Sequence, residues 1–122
     1  MKRFSAMVMM VLVLAMLATA AAASYSGRIA GTNLSFSNLT FNRSLVYVRI
    51  RNPGLAVRFS AMVELVDRGE VIARSSGRLE RVIPASGQVS LTNAFPIIRR
   101  EPTRGVVPQV RWVDVIVTPV QN

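Results

Sequence analysis

Two stretches in the middle of the chain alternate hydrophobic and polar residues with a period of two, which is typical of half-buried β-strands. They are LVYVRIRN, residues 45–52, and AVRFSAMVELV, residues 56–66. In the first stretch valine and isoleucine occupy one face, and Tyr47, Arg49 and Arg51 occupy the other. The alternation therefore predicts two core strands, each with one apolar face and one polar face.

The connection between these strands begins with Asn52-Pro53-Gly54. Proline has no N–H to donate to a sheet ladder, and Gly54 accepts the positive φ that a tight turn needs. The segment from Asn52 to Leu55 therefore fits two interpretations, a turn within one sheet or a crossing from one sheet to another.

A short repeat precedes the two strands, since NLSF at residues 33–36 is followed by NLTF at residues 38–41. Each half alternates apolar and polar residues as a half-buried strand does. The five-residue offset places the two halves in opposite phase, because side chains change face at every residue of a strand. The repeat therefore predicts a β-bulge or a break near Ser37-Asn38.

The same segment contains three Asn-x-Ser/Thr triplets, at Asn33, Asn38 and Asn42. In an exported protein these asparagines are candidate N-glycosylation sites. The alternation directs Asn33 and Asn38 away from the apolar face, as a glycan requires. Any strand rich in Asn, Ser and Thr also produces such triplets, so both interpretations stay open.

The rest of the chain supplies shorter strand-like segments, separated by turn signals at intervals of about ten residues. They span residues 70–74, 79–83, 88–92 and 110–118, with a short edge strand over 95–98 and an exposed basic loop over 99–105. If Trp112 and Asp114 face outward in the final strand, its inward residues are Val113, Val115 and Val117. The predicted fold is all-β, a small antiparallel immunoglobulin- or fibronectin-like β-sandwich of about seven strands.

The chain begins with a positively charged start, an apolar run from Ala6 to Ala18 and an alanine-rich end. This pattern predicts an N-terminal signal helix over residues 1–23, with cleavage before Ser24. The alternative is an uncleaved signal anchor, because residues 4–23 are long enough to cross a bilayer. In either case residues 24–122 are expected to form a single β-sandwich domain outside the cytoplasm.

The residue types that the chain lacks exclude several classes of function. The chain contains no Cys and no His, so the usual thiol and imidazole nucleophiles, bases and metal ligands are missing. The six acidic residues are scattered and form no calcium-binding loop. We therefore expect no enzymatic activity, no cofactor and no metal. Without cysteine the domain has no disulfides, and its stability must come from an apolar core.

The charge of the chain indicates an anionic partner. Residues 24–122 contain thirteen arginines and six acidic residues, which gives a net charge of +7. Arginine stays charged at any physiological pH and binds carboxylate, sulfate and phosphate groups in a bidentate manner. Two groups of residues are candidate anion-binding surfaces: Tyr47, Arg49 and Arg51 on a strand, and Arg99, Arg100 and Arg104 in the basic loop.

The expected partners are a protein or an anionic polymer of the cell surface. Few aromatic residues fall at exposed positions, which argues against nucleic acid because base stacking needs exposed aromatic rings. A membrane is expected as a partner only through residues 4–23, if this segment stays attached.

Three segments resemble a known family: VYVRIRNPG at residues 46–54, GEVIA at 69–73 and IPASGQVSL at 83–91. They are similar to the water-stress-and-hypersensitive-response (WHy) domain of the late-embryogenesis-abundant proteins, over roughly residues 29–98. The usual Asn-Pro-Asn of that family appears here as Asn52-Pro53-Gly54. The resemblance implies a fibronectin-like sandwich without catalysis, associated with stress protection, and it transfers no site residues.

The sequence as a whole predicts a non-enzymatic exported β-sandwich with a structural, protective or binding role at the cell surface. One alternative is a subunit of an extracellular filament or matrix that assembles by β-strand addition through residues 24–41. Another alternative is a membrane-anchored accessory domain of a surface complex.

Overall fold

The computed structural model describes residues 23–120, and these residues form nine β-strands and no helix. The predicted signal or anchor lies outside the described residues except for Ala23. In the part that is described, no helix has the length and hydropathy to cross a membrane. The strands are β1 (Tyr25–Arg28), β2 (Ser35–Phe41), β3 (Leu45–Asn52), β4 (Val57–Asp67), β5 (Glu70–Arg74), β6 (Leu79–Ile83), β7 (Gly87–Ala94), β8 (Ile97–Ile98) and β9 (Gln109–Pro119).

The strands form two antiparallel sheets. The first sheet has the order β1-β2-β3-β7. The second sheet is built around β4, which pairs with β9 along its length and with β6 and β5 in succession, while β8 pairs with β5. The prediction of an all-β antiparallel fold is confirmed. The strand number exceeds the predicted seven or so. β1 has no counterpart among the predicted strands, whereas β8 lies within the predicted edge strand over residues 95–98.

A shared core fills the space between the two sheets. The alternation predicted for β3 and β4 is confirmed, since every second residue of both strands is buried. The inward residues of these two strands are Val46, Val48, Ile50, Phe59, Ala61 and Val63. Each large aliphatic or aromatic side chain removed from water in this way stabilises the fold by about 1.5–3 kcal/mol.

The connection from β3 to β4 crosses between the sheets, and the buried side chain of Asn52 holds it in place. Its Nδ2 donates to the carbonyl oxygens of Leu55 at 2.7 Å and Pro84 at 3.2 Å, and its Oδ1 accepts the Gly54 N–H at 3.0 Å. Pro84 belongs to the second crossing, from β6 to β7. The Ser86 N–H also donates to the Gly54 carbonyl at 3.0 Å. One buried amide therefore joins both crossings at the same end of the domain.

The predicted bulge in β2 is confirmed. Asn38 has a φ of 54°, and the pairing of β2 with β3 shifts its register between Ser37 and Thr40. Phe36 and Leu39 are both buried although they lie three positions apart, a spacing that would place them on opposite faces of a regular strand. The extra residue in the bulge therefore brings both halves of the repeat onto the same apolar core.

A second bulge changes the expected faces of β9. Asp114 has a φ of 52°, and the register with β4 shifts between Ser60 and Met62. Trp112 faces inward, where its ring meets Phe36 and Phe59 edge-on at centroid distances of 5.4 and 5.8 Å. Val113 is expected inward only if Trp112 faces outward. Because Trp112 faces inward, Val113 is not among the residues that pack against the core. Beyond the bulge the core side is occupied by Val115 and Val117, as predicted.

A third irregularity lies between β5 and β6, which pair with the same side of β4. The Ser75 N–H donates to the Val63 carbonyl, and the Ser75 hydroxyl accepts the Val63 N–H, so the side chain replaces a ladder hydrogen bond. The next residues leave the sheet, and Asn93 Oδ1 of β7 accepts the N–H groups of Ser76 at 3.1 Å and Gly77 at 3.2 Å. A second asparagine therefore links the two sheets.

Replacement of Asn52 by Ala is expected to lower the free energy of unfolding by about 2–4 kcal/mol, because it leaves buried backbone groups at both crossings without partners. Urea denaturation monitored by circular dichroism measures this loss. The control is Asn33→Ala at an exposed position, where we expect a change of about 0.5 kcal/mol or less. Equal stability of the two variants would contradict the assigned role of Asn52.

Candidate functional site

The outer face of the first sheet carries polar side chains around three residues of its central strand β3, namely Tyr47, Arg49 and Arg51. Residues directly opposite each other in antiparallel strands point to the same side of the sheet. The neighbours from β2 and β7 are Thr40 and Thr92 beside Tyr47, Ser37 and Ser90 beside Arg49, and Ser35 and Gln88 beside Arg51. Hydroxyl and amide groups therefore flank both arginines.

The positive charges reach from one edge of this face to the other. Arg28 of β1 pairs with Ser35 and extends the row of Arg51. At the other edge, Arg81 of β6 donates through Nη1 to the Ser90 carbonyl at 2.8 Å. Arg49 and Arg51 lie two positions apart on one strand, which separates them by roughly 6.5–7 Å. We name the outward surface formed by Arg28, Tyr47, Arg49 and Arg51 the arginine face.

Tyr47 is fixed within the arginine face by a hydrogen bond between its hydroxyl and the Ser90 hydroxyl at 3.0 Å. This hydrogen bond, followed by the neighbouring Arg49, lowers the pKa of the Tyr47 phenol. The Tyr47 hydroxyl therefore belongs to the polar network of the arginine face.

No acidic residue lies on the first sheet. The six acidic side chains of the chain belong to the second sheet or to the connection before β9: Glu64, Asp67, Glu70, Glu80, Glu101 and Asp114. Within the described residues, none of them comes within ion-pair distance of Arg28, Arg49 or Arg51. The charge of the arginine face is therefore not compensated by the domain itself.

The second sheet neutralises much of its own charge. Glu64 pairs with Arg111, and Glu80 lies 3.7 Å from Arg78. The uncompensated positive charge of the domain is therefore unequally distributed between its two faces.

The three predicted arginines of the basic loop differ in their exposure and in their ion pairs. Arg100 donates to Asp67 Oδ2 at 2.8 Å and to Glu70 Oε2 at 3.2 Å, and these bonds raise its pKa. Arg99 and Arg104 are exposed and make no ion pair with the described residues. The loop therefore offers two arginines to an anion, whereas Arg100 is engaged in holding the structure.

Asp67 is the residue that sequence reasoning missed, because Asp67-Arg68-Gly69 reads in the sequence only as a hairpin turn signal. Its carboxylate is buried and accepts the Thr103 hydroxyl at 2.6 Å and the Thr103 N–H at 2.8 Å. These bonds, with that from Arg100, hold the pKa of Asp67 well below its ordinary value of 3.8. Asp67 therefore ties the loop before β9 to the β4–β5 hairpin.

The three candidate glycosylation residues, Asn33, Asn38 and Asn42, are all exposed. Asn38 occupies the bulge of β2, and Asn42 Oδ1 accepts the N–H groups of Ser44 at 2.8 Å and Leu45 at 2.9 Å in the β2–β3 turn. Their exposure meets the steric condition for a glycan. Glycosylation itself stays a prediction.

Residues 24–41, proposed as a donor segment, form β1 and β2 and pair within their own sheet. β1 is a four-residue edge strand whose pairing shifts register between Tyr25 and Gly27. Strand exchange between copies stays a prediction.

Among residues 23–120, no cluster of three or more His, Cys, Asp or Glu side chains suitable for a metal ion occurs. No protein family model, curated protein or solved structure matches this chain. The resemblance to the WHy domain therefore stays a prediction.

Replacement of Asp67 by Asn is expected to lower the free energy of unfolding at pH 7, because the neutral amide loses the charge-assisted hydrogen bonds. The pKa of Asp67 is lower in the folded state than in the unfolded chain. Its stabilising contribution is therefore complete above about pH 5 and is lost as the pH falls through 3.8 towards the folded-state pKa.

Urea denaturation at several pH values between about 2 and 7 measures this effect. The stability difference between wild type and Asp67→Asn should narrow as the pH falls. The matched control is Glu101→Gln, since this exposed carboxylate pairs with no described arginine. A difference that stays constant across the pH range would rule out a stabilising role for the Asp67 charge.

Proposed function

We propose that this chain is a non-enzymatic, exported β-sandwich of the immunoglobulin- or fibronectin-like kind that binds an anionic polymer at the cell surface. The observation that carries the proposal is the arginine face, a flat sheet surface with uncompensated guanidinium groups and no carboxylate. Such a surface attracts anions at long range and binds them by charge-assisted hydrogen bonds at contact.

The layout of the arginine face favours an extended polymer over a small anion. A small anion is typically bound in a concave site, whereas these side chains stand on an open sheet. Arg49 and Arg51 are separated by the repeat of a β-strand, and Arg28 continues the row towards the edge. The flanking Ser and Thr hydroxyl groups can donate to or accept from sugar hydroxyls. An acidic glycan offers charged groups and hydroxyl groups along its length and matches both features.

A structural or protective role at the surface is compatible with this binding. The resemblance to the WHy domain supports a non-catalytic, stress-related role, and the residue types of the chain support the absence of catalysis. Coating of an acidic surface polymer by a stable β-domain is the form of protection that we favour.

The double variant Arg49→Ser/Arg51→Ser is expected to weaken binding to dextran sulfate by tenfold or more, because two charge-assisted contacts are lost. The matched control, Arg58→Ser/Arg74→Ser, removes the same charge from exposed positions of the second sheet. Titration calorimetry at about 0.1 M salt measures both affinities. Equal weakening by the two variants would mean that only net charge matters and would contradict a site on the arginine face.

Export is tested by the intact mass of the protein from its native host. We expect a chain that begins at Ser24, with added glycan mass if Asn33, Asn38 or Asn42 is modified. A full-length mass would instead favour the membrane-anchored accessory domain, with residues 4–23 as its anchor.

A further inference from the structure

Three large apolar side chains are exposed where the chain passes from the first sheet to the edge of the second. They are Phe95, Ile97 and Ile98, with exposed fractions of 75%, 42% and 40%. Phe95 follows β7, and the two isoleucines form β8. Exposed apolar side chains that stand together mark a surface that contacts another molecule. We name the surface formed by these three residues the Phe95 corner.

The backbone holds Phe95 in an uncommon conformation. Its φ is 52°, in the left-handed region that bulky residues rarely adopt, and its N–H donates to the Ser44 carbonyl at 2.8 Å. Glycine or asparagine takes this conformation at lower cost. Phe95 also belongs to neither cluster of the apolar core. A strained, exposed aromatic residue that adds nothing to the core is typical of a functional position.

Three arginines are neighbours of the Phe95 corner. Arg43 and Arg99 line a recess together with Ile98, and Arg74 lies on β5 opposite β8. All three arginines are exposed, and no carboxylate of the described residues comes within ion-pair distance of them. Of the described acidic residues, only Glu101 lines the recess. The corner therefore combines exposed apolar side chains with an excess of positive charge.

The described chain begins beside the Phe95 corner, since Ala23 lines the same recess. The apolar run from Ala6 to Ala18 ends five residues before Ala23. Five residues span at most about 18 Å. A bilayer that holds the apolar run is therefore within reach of the corner.

A second copy of this chain fits the corner poorly. In a symmetric dimer the same patch meets itself, so Arg43, Arg74 and Arg99 would face their own counterparts. Glu101 alone does not compensate three arginines on each side. Anionic phospholipid offers phosphate groups to the arginines and an apolar layer to the aromatic ring and the isoleucines.

We propose that the Phe95 corner docks the domain on a bilayer that contains anionic phospholipid. Phe95 enters the boundary between headgroups and acyl chains, where the apolar side chains of interfacial segments are buried. Arg43 and Arg99 bind the phosphate groups by charge-assisted hydrogen bonds. The corner is separate from the arginine face, and its docking does not rest on polymer binding.

The test is tryptophan fluorescence of the full-length protein on vesicles of phosphatidylcholine and phosphatidylglycerol, with lipids brominated on their acyl chains as quenchers. Phe95→Trp places a reporter at the corner. Leu55→Trp places the control reporter at the opposite end of β3, at a position that is 84% exposed. Both variants are expected to fold because both positions are exposed. The wild type measures the background from Trp112, the only tryptophan of the chain.

We expect quenching at position 95 to exceed that at position 55 severalfold, because the corner faces the bilayer whether or not residues 1–22 insert in it. Adding Arg43→Ser/Arg99→Ser to Phe95→Trp is expected to lower the ratio of quenched to unquenched reporter by roughly tenfold or more at a fixed lipid concentration. The matched control is Arg58→Ser/Arg81→Ser, which removes the same charge from exposed positions near the opposite end and should leave the quenching unchanged.

The proposal is overturned if positions 55 and 95 are quenched equally, since the domain then has no defined orientation on the bilayer. It is also overturned if the two double arginine variants behave alike, or if position 95 is shielded from iodide before vesicles are added, because another part of the protein then covers the corner. Gln88→Trp reports on the arginine face, beside Arg51. Stronger quenching there than at position 95 would assign the lipid to that face and contradict the proposal.

Discussion

The hydrogen bonds of one buried amide, Asn52, hold together two of the connections between the sheets, from β3 to β4 and from β6 to β7. An asparagine suits this position because its side chain donates to the carbonyls of Leu55 and Pro84 and also accepts the Gly54 N–H. Asn52 pairs with Gly87, where an added Cβ would lie only 2.7 Å from Pro84 Cγ. The close packing of this corner sets β3 beside β7. Val48 and Ile50 of β3 face the core, so the alternate residues Arg49 and Arg51 point to the outside.

The unequal charge of the two faces follows from this arrangement. The acidic residues all fall in the later part of the sequence, which builds the second sheet and the connection before β9. There Glu64 and Glu80 pair with arginines, and Asp67 and Glu70 bind Arg100 of the basic loop. The first sheet receives arginines and hydroxyl residues without any carboxylate. The first sheet can therefore present a positive surface that no carboxylate of its own neutralises.

Period-two alternation was sufficient to predict the strands with one clearly apolar face, and the phase break of the Asn-Leu repeat predicted the bulge at Asn38. The sequence contains no comparable signal for the bulge at Asp114. Valines lie on both sides of this residue, so both possible phases of the alternation place apolar residues toward the core. Alternation alone therefore did not assign the face of Trp112. The alternation did not show whether the segment from Asn52 to Leu55 makes a turn within one sheet or crosses to the other sheet. The crossing depends on hydrogen bonds to residues about thirty positions later in the chain.

The candidate site was predictable only in part. Alternation alone placed Tyr47, Arg49 and Arg51 on an outer face. It did not reveal that Arg100 is paired, because Asp67 approaches it from a distant hairpin. The local alternation thus predicted which face of a strand each side chain occupies. Whether a charged side chain forms an ion pair depended on contacts with residues that are distant in the sequence.

The central claim is that the arginine face is where an anionic polymer binds. The most direct measurement is a titration of ¹⁵N-labelled protein with a short dextran sulfate, followed through backbone amide chemical shifts. We expect the largest shifts along β3 and at the facing residues of β2 and β7, with small shifts in β4 and β9. Shifts concentrated around Arg99 and Arg104, or spread evenly over both sheets, would contradict the claim.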